Sequence, residues 1–388
     1  MEENTFSLED LVRWQIREFV EEILEEEIDR AIGPRYGRAG AGHRNGHRIR
    51  ELTTSLGPLE LEVPRARLRD ADGSEHEFRS PVLPVGRKLT PRAEALVVSA
   101  YLCGVSTRKV SFALAQALGG GVSRSMVSRC LRRLAPQWEA WQSRDLSKDG
   151  VVRLVLDALS VPTRMDGTSH RLMILVAMAI TDKGERFVVS MKDMGGESTE
   201  AWLEVVRDLV ARGVTAPQLC IVDGCPGLEA AISQTWPSCL VQRCTVHKER
   251  NLLAHAPAAM HEELKADYKE MMYAPDAQTG LRLRNEFLAK WHSKCPKVAK
   301  SLREGGERLF TFLRFPPQQW RSLRTTNSIE RLNEEFRRRV KVQGCTHTGD
   351  SVCLLFWAML ASGILPYRKV EGFETFTLPI IQDLKLAA

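Results

Sequence analysis

The sequence predicts a mixed α/β chain, an α+β arrangement in which a sheet-bearing core is interrupted by an all-helical segment and preceded by helical regions. Three observations carry that reading. β-rich runs between Val151 and Met191 give way to alternating helix and strand up to Gln242; the stretch from Lys248 to about Leu313 is almost wholly helical; and helical periodicity dominates the first 145 residues, broken by one basic stretch. With 388 residues, 43% of them apolar, the chain can bury more than one core and lies outside the composition of disordered proteins.

Residues 7–32 place Leu8, Leu11, Val12, Ile16, Phe19, Val20, Ile23 and Ile28 at three-to-four spacing, which makes one apolar stripe on an otherwise acidic helix ended by Pro34. Such a helix serves a core or a dimer contact. Residues 35–68 switch to Arg, His and Gly, read as a basic loop leading into a short strand at Leu59–Val63. Arg38, Arg44 and Arg48 are candidates for gripping a DNA backbone there, a solvated loop being the alternative; His43 and His47 lack a nearby cysteine to complete a zinc site. Residues 1–89 are thus expected to form a dimerisation and DNA-binding region. From Thr90, helical segments at 91–102, 106–117 and 123–135 are punctuated by Gly104-Val105-Ser106 and Gly119-Gly120-Gly121, as in a helix-turn-helix. The third begins with Ser123, an N-cap type, and carries Arg124, Arg129, Arg132 and Arg133, groups suited to base edges and phosphates. Residues 90–145 form that second region.

Val151–Leu159, Arg171–Ile180 and Arg186–Met191, separated by turn signals at Asp166-Gly167 and Lys183-Gly184, read as an antiparallel meander. A helix at 197–212, a buried strand at Gln218–Val222, a helix at Gly227–Gln234 and a strand at Cys239–Gln242 follow. This is the element order of the ribonuclease H-like fold, and it assigns 146–247 to the first part of a catalytic core. Pro257, Pro275 and Pro296 break the helical run that makes 248–320 an all-helical insertion. After the turn at Phe315-Pro316-Pro317, residues 321–388 return to the core with C-terminal helices, the last long one near 327–341.

Charge and cysteine usage narrow the setting. Fifty-five Lys and Arg against 49 Asp and Glu give a net charge of +6, compatible with a polyanionic partner. Arg crowds residues 35–50 and again 321–341. Nine scattered cysteines, an odd number, argue against a disulfide framework and for a reducing cytoplasm, at the nucleoid if DNA is the partner. The longest apolar run, Leu172–Ile180, has nine residues, too short to cross a bilayer of roughly 30 Å, so no membrane partner is expected.

Phosphodiester cleavage requires an activated oxygen nucleophile, in-line geometry and neutralised charge on the attacking and leaving oxygens, all of which two divalent ions roughly 4 Å apart supply. Mg²⁺, with Mn²⁺ as substitute, takes oxygen ligands, so acids from different elements must converge. Asp157 sits in the apolar run Val152–Leu159, where an unpaired carboxylate is costly and implies a partner or a metal. Asp223 repeats the arrangement after Cys220-Ile221-Val222; acids at strand ends point into the crevice of an α/β sheet. Glu330 follows Asn327 by three residues, which fits a capping box as well as it fits a third ligand. Its neighbours Arg324, Arg331, Arg337, Arg338 and Arg339 suit a phosphate backbone.

These residues, together with Arg44-Asn45-Gly46, Val63-Pro64-Arg65, Asp157-Ala158, Glu197-Ser198 with Trp202, and Val222-Asp223-Gly224 with Gly227-Leu228, resemble the Mutator family of bacterial insertion-sequence transposases. So do Gln242-Arg243-Cys244 with His247 and Arg250-Asn251, Phe315-Pro316 with Trp320, Arg324-Thr325-Thr326-Asn327 with Ile329-Glu330-Arg331, and Arg337-Arg338-Arg339. The resemblance implies Asp-Asp-Glu catalysis by Asp157, Asp223 and Glu330 with Mg²⁺, an insertion domain after Asp223, and a Cys-x2-His signature at Cys244 and His247. It implies recognition of terminal inverted repeats in double-stranded DNA, 3′-end cleavage and strand transfer to target DNA, with a circular intermediate as one route. A homodimer is expected, since two DNA ends must be joined together. Two ligands alone do not close a tetrahedral zinc site, so Cys244 and His247, like Arg324 and Asn327, are expected to support the active-site wall. Cys225 departs from the family, which commonly has His there. Trp320 and Trp291 are candidates for stacking on a base, core packing being the alternative. A nuclease that cuts without joining would use the same acids, and a DNA-binding regulator would use none of them.

Overall fold

The structure, a computed structural model, describes residues 7–32, 41–70, 72–83, 85–118, 122–165, 168–343 and 348–381. The chain divides into two compact units, Met1–Leu134 and Ala135–Ala388. Among the described residues no helix is long and apolar enough to cross a membrane.

In the first unit the helix α1 (Leu8–Ile32) packs by Leu24, Ile28 and Ile32 on a hairpin of β1 (Gly42–Thr54) and β2 (Gly57–Arg69), extended by the short β3 (Glu75–Glu77). The basic stretch expected as a loop is therefore mostly strand. Asn45-Gly46 lies where the β1–β2 register shifts between Arg44 and His47, and Gly46 there has φ +69°. A bulge absorbs the glycine, and the ladder continues on both sides of it. Three helices follow: α2 (Pro91–Leu102), α3 (Thr107–Ala117) and α4 (Arg124–Arg132). Each has a side-chain N-cap, Thr90, Ser106 and Ser123 in turn, which accepts the amide three residues on.

The second unit opens with α5 (Ala135–Gln142) and builds a five-stranded mixed sheet from β4 (Val151–Met165), β5 (Thr168–Thr181), β6 (Arg186–Asp193), β7 (Leu219–Val222) and β8 (Leu240–Arg243). Their order is β6-β5-β4-β7-β8; β4, β5 and β6 form the antiparallel meander and β7 and β8 run parallel to β4. The expected turn at Asp166-Gly167 lies outside the described residues; Gly184, in the other one, has φ +73°. The helices α6 (Thr199–Ala211) and α7 (Pro226–Thr235) bury Trp202, Val205, Leu209, Leu228 and Ile232 against Leu154, Leu156, Leu175 and Cys220 of the sheet. Strand alternation turns Arg153, Val155 and Asp157 to the opposite face.

After β8 the chain leaves the sheet. The helices α8 (Thr245–His255), α9 (His261–Met272), α10 (Ala277–Lys294) and α11 (Pro296–Gly305) pack consecutively, and α11 returns to α8. Short 3-10 turns between Glu307 and Gln319 then lead back along β8, where buried Gln242 donates to Leu309 O (2.9 Å) and accepts from Phe312 N (2.7 Å). The one-turn α12 (Trp320–Leu323) precedes α13 (Asn327–Gln343), whose stripe of Ile329, Leu332, Phe336 and Val340 is buried and whose length crosses β4. Finally α14 (Gly349–Ala361) covers β6 and β5, and Phe356 stacks on Phe336 with ring centroids 4.0 Å apart.

That ring pair fixes the height of α13 over the sheet. Phe336→Ala is expected to cost about 3–5 kcal/mol. Denaturant unfolding followed by tryptophan fluorescence measures this in the sheet-bearing unit, which holds seven of the eight tryptophans; a cost below about 1 kcal/mol would show that α13 is held otherwise.

Candidate active site

Two acids meet because of strand register. In the parallel pair of β4 and β7, Arg153 faces Leu219, Leu154 faces Cys220 and Val155 faces Ile221; two residues further along each strand stand Asp157 and Asp223. Asp157 is buried (8% exposed). Asp223 lies just past the end of β7, where Gly224 takes φ +101° and the Cys225 amide donates to Asp223 Oδ1 (2.9 Å). That turn fixes the carboxylate, a geometry that suits glycine at its second position.

The third acid arrives on α13. Its carboxylate does not close a capping box with Asn327, which lies inside the first turn and is exposed; instead Glu330 Oε1 faces the Thr326 hydroxyl at 2.9 Å. One turn later Asn333, fully buried, donates its amide to Asp157 Oδ2 (2.7 Å). This bond joins α13 to β4 at the acids, and sequence reasoning missed it. The signal was available: Asn333 lies within the apolar stripe of α13, where an amide needs a buried partner.

A sulfur and an imidazole line the same place. Cys244 precedes α8, its amide donating to Val222 O (2.7 Å), and His247 follows in the first turn of that helix. Cys244 Sγ faces the Thr326 N–H (3.4 Å) and hydroxyl (3.3 Å). That hydroxyl has one proton, so it serves Glu330 or the sulfur but not both at once. His247 Nδ1 is 3.8 Å from Glu330 Oε1, and Arg250 Nη2 is 3.5 Å from Glu330 Oε2. Cys244 Sγ, a His247 ring nitrogen and a Glu330 oxygen all lie within 4.8 Å of one another, and among the described residues this is the one set of three metal-ligating side chains so gathered. Asp157, Asp223 and Glu330 are set more widely.

Charge coupling ties the groups together. Burial, then the Asp223 charge, pushes the Asp157 carboxyl up to about 6, against the opposing pull of His247 and of the Asn333 amide. The Cys244 sulfur, more than the Glu330 and Asp157 charges, holds the His247 ring protonated up to about 9 although burial opposes this. Burial disfavours the Cys244 thiolate, but His247 and Thr326 outweigh it and the thiol falls below its ordinary value. A fourth carboxylate, Glu197 at the start of α6, is raised by burial and by Asp223. Cys225 Sγ lies 3.7 Å from Glu197 O, and a Cβ at Gly227 would meet that same oxygen at 2.7 Å, so the glycine allows α7 to approach α6 here.

The whole arrangement falls inside one matched family. Residues 1–363 fit the model of the transposases of the Mutator family. The chain belongs to that family. It is 33% identical over 336 residues to the transposase of insertion sequence element ISRM5 of Rhizobium meliloti, covering 86% of this chain and 82% of that one. It is 31% identical over 376 residues to the IS1081 transposase of Mycobacterium tuberculosis, covering 95% and 89%. The IS256 transposase of Staphylococcus aureus is 32% identical over 301 residues, covering 77% and 75%.

Several motif residues of this Mutator-family transposase are occupied with holding the fold. Arg243 pairs with Glu229 and Glu304, and Arg324 stacks on Tyr273 (4.2 Å) while its guanidinium donates to Met272 O. Trp320 is buried with Nε1 donating to Phe315 O (2.7 Å), and Trp291 is fully buried with Nε1 on Asp267 Oδ2 (2.9 Å), so neither ring is placed to stack on a base. Arg339 points inward at 3% exposure, whereas Arg331, Arg337 and Arg338 face solvent. In the first unit Arg44 pairs with Glu25 (2.6 Å) and Asp29 of α1, and Arg133 pairs with Glu94. Arg124, Arg129 and Arg132 are exposed on α4, Arg48 lines an open concavity of about 620 Å³ with Arg65 and Lys88, and Arg38 lies outside the described residues.

A carboxyl pushed up to about 6 is a liability for the folded, metal-free chain. Asp157→Asn is expected to stabilise it at pH 7 by up to about 3 kcal/mol. The advantage is absent below about pH 4, where Asp157 is protonated in both folded and unfolded chains, grows as pH rises to about 6, and is constant above that. Thermal melts of both proteins in chelator across that range test this; an equal or lower melting temperature for the variant at pH 7 contradicts the crowding of charge described here.

Proposed function

We propose that this chain is a DNA strand transferase that cuts the 3′ ends of its insertion sequence and joins them to target DNA, with Asp157, Asp223 and Glu330 holding two Mg²⁺ ions on a ribonuclease H-like core. The observation that carries the reading is the placement of Asp157 and Asp223 at one register on adjacent parallel strands, with α13 bonded to Asp157 by Asn333 and bearing Glu330 one turn earlier. A meander, two parallel strands and a helix bringing the last acid across the central strand support the ribonuclease H-like assignment.

The residues fit the ions. Among the described residues, the hydrogen bonds to the two aspartates use Asp157 Oδ2 and Asp223 Oδ1, which leaves one oxygen of each for a cation. Burial first, and then the Asp223 charge, raise the Asp157 carboxyl, an environment that a bound cation would relieve. The wider setting of the three acids accords with two ions roughly 4 Å apart, since outer ligands of different ions need not touch. Bound there, the ions supply Lewis acidity at the attacking and leaving oxygens of a phosphodiester. The protein's own part is positional: Asn333 and the Cys225 amide fix the two aspartates, while the cationic Arg250 and His247 beside Glu330 favour a phosphate close by.

The exposed Arg331, Arg337 and Arg338 on α13 would grip the DNA backbone near the acids, and α4 with Arg124, Arg129 and Arg132 would read the element's ends as the recognition helix of a helix-turn-helix. Joining two ends requires two copies of the chain, so a homodimer is part of the proposal.

Purified protein, Mg²⁺ and labelled ends of the element should give both nicked and joined products. Asp157→Asn, Asp223→Asn and Glu330→Gln should each bind the ends and produce neither, as should the wild type in chelator. Cutting without joining would demote the protein to a nuclease, and cleavage by the Glu330 variant would remove α13 from the site. Arg337→Gln with Arg338→Gln should weaken binding to all sequences alike and flatten the plot of log affinity against log salt by about one unit per arginine; an unchanged slope would place the DNA elsewhere.

A further inference from the structure

The grouping of Cys244, His247 and Glu330 has a chemistry that Mg²⁺ does not explain. A hard ion selects oxygen, whereas thiolate, imidazole and carboxylate together are the donor set of a softer, zinc-class ion. Local geometry presents them together. Cys244 and His247 are three apart at the start of α8, which puts sulfur and ring on one face of the first turn. The Thr245 amide donates to Arg324 O (2.9 Å), which locks this turn against the segment leading into α13 and so against Glu330. Among the described residues His247 Nδ1 is buried without a hydrogen-bond partner, although Glu330 Oε1 is 3.8 Å away. Zinc bonds of roughly 2.0–2.3 Å to nitrogen, oxygen and sulfur put tetrahedral ligands about 3.3–3.8 Å apart. Donor atoms already within 4.8 Å therefore need a contraction of at most about 1.5 Å, within reach of side-chain rotation.

We propose that Cys244, His247 and Glu330 form a binding site for one thiophilic divalent cation of the zinc class, with its fourth position open, and that this ion withdraws Glu330 from the Mg²⁺ site. The first half stands on the donor cluster alone; the second rests on the catalytic reading of Glu330 given above. Binding displaces the Cys244 thiol proton and the proton on the ligating His247 nitrogen, and releases both to solvent. Arg250, exposed and 3.5 Å from Glu330 Oε2, swings away as the cation takes over the carboxylate. One carboxylate on α13 would thus serve two ions of different hardness, and the softer one would act as an inhibitor.

Cobalt(II) is the probe, because its thiolate charge-transfer band and tetrahedral ligand-field bands report the ligands directly. The full chain, reduced and freed of metal, is titrated with Co²⁺ and then with Zn²⁺ in competition. Wild-type protein should develop the thiolate band with one equivalent and lose it to Zn²⁺. Cys244→Ser should lack the band, and Glu330→Gln and His247→Ala should keep it with affinity weakened about tenfold or more. The His247 and Glu330 variants alter part-exposed side chains and keep the test decisive if the Cys244 variant does not fold. No thiolate band in folded wild-type protein, or the same band and affinity in all variants, overturns the site. Stoichiometric Zn²⁺ should also stop end cleavage by the wild type in excess Mg²⁺. Undiminished cleavage with the cobalt-defined site saturated overturns the competition, whereas absent cleavage in Mg²⁺ alone, with the cobalt signal intact, counts against the catalytic reading and leaves the cation site standing.

Discussion

The second unit depends on how one buried carboxylate is accommodated. Asp157 sits in the middle strand of the sheet at 8% exposure, where an ionised group without partners costs several kcal/mol. Among the described residues its compensation comes from the neutral amide of Asn333 and from the charge of His247. The amide is enough to orient the acid but not to neutralise it, and the carboxyl remains up at about 6. Much else follows from keeping that amide in place. The apolar stripe of α13, the stacked Phe336 and Phe356 and the cover of α14 all hold the helix at the height where Asn333 reaches the strand.

The same helix explains why the helical excursion from β8 does not loosen the site. Gln242 is bound on both sides of its amide by the returning chain, Thr311 donates to Val241 O at 2.7 Å, and the start of α8 is tied to Arg324. The two ends of the excursion are therefore fastened to each other beside the acids. Motif residues that look catalytic by their charge, Arg243 and Arg324 among them, are the fasteners.

How much of this could be read from the sequence depended on whether the evidence was local. The helices, the meander and the two aspartates were legible because periodicity and an acid in an apolar strand are local signals with a clear physical cost. Glu330 was ambiguous because capping depends on where a helix begins, and Asn327 turned out to lie within the first turn. Asn45-Gly46 lies in the stretch read as a basic loop and is a bulge because β2 pairs across it. The inward orientation of Arg339, Trp291 and Trp320, the pairing of Arg44 with α1 and the bond from Asn333 to Asp157 all depend on partners distant in the chain. The proximity of Glu330 to Cys244 and His247 is of the same kind: 82 residues separate the Thr326 amide from the sulfur it faces.

The order in which the acids occur along the chain has a consequence for synthesis. Asp157 and Asp223 belong to strands that emerge early from the ribosome, and the arginine-bearing α4 earlier still. Glu330 comes only after the whole helical excursion has been made and folded back. If α4 and the three acids act as proposed above, a nascent polypeptide acquires its means of holding nucleic acid well before it can complete the set of acids that would break a strand. Translation would then delay the damaging competence until the late part of the molecule is in place, and fragments ending before residue 327 would occupy element ends without severing them.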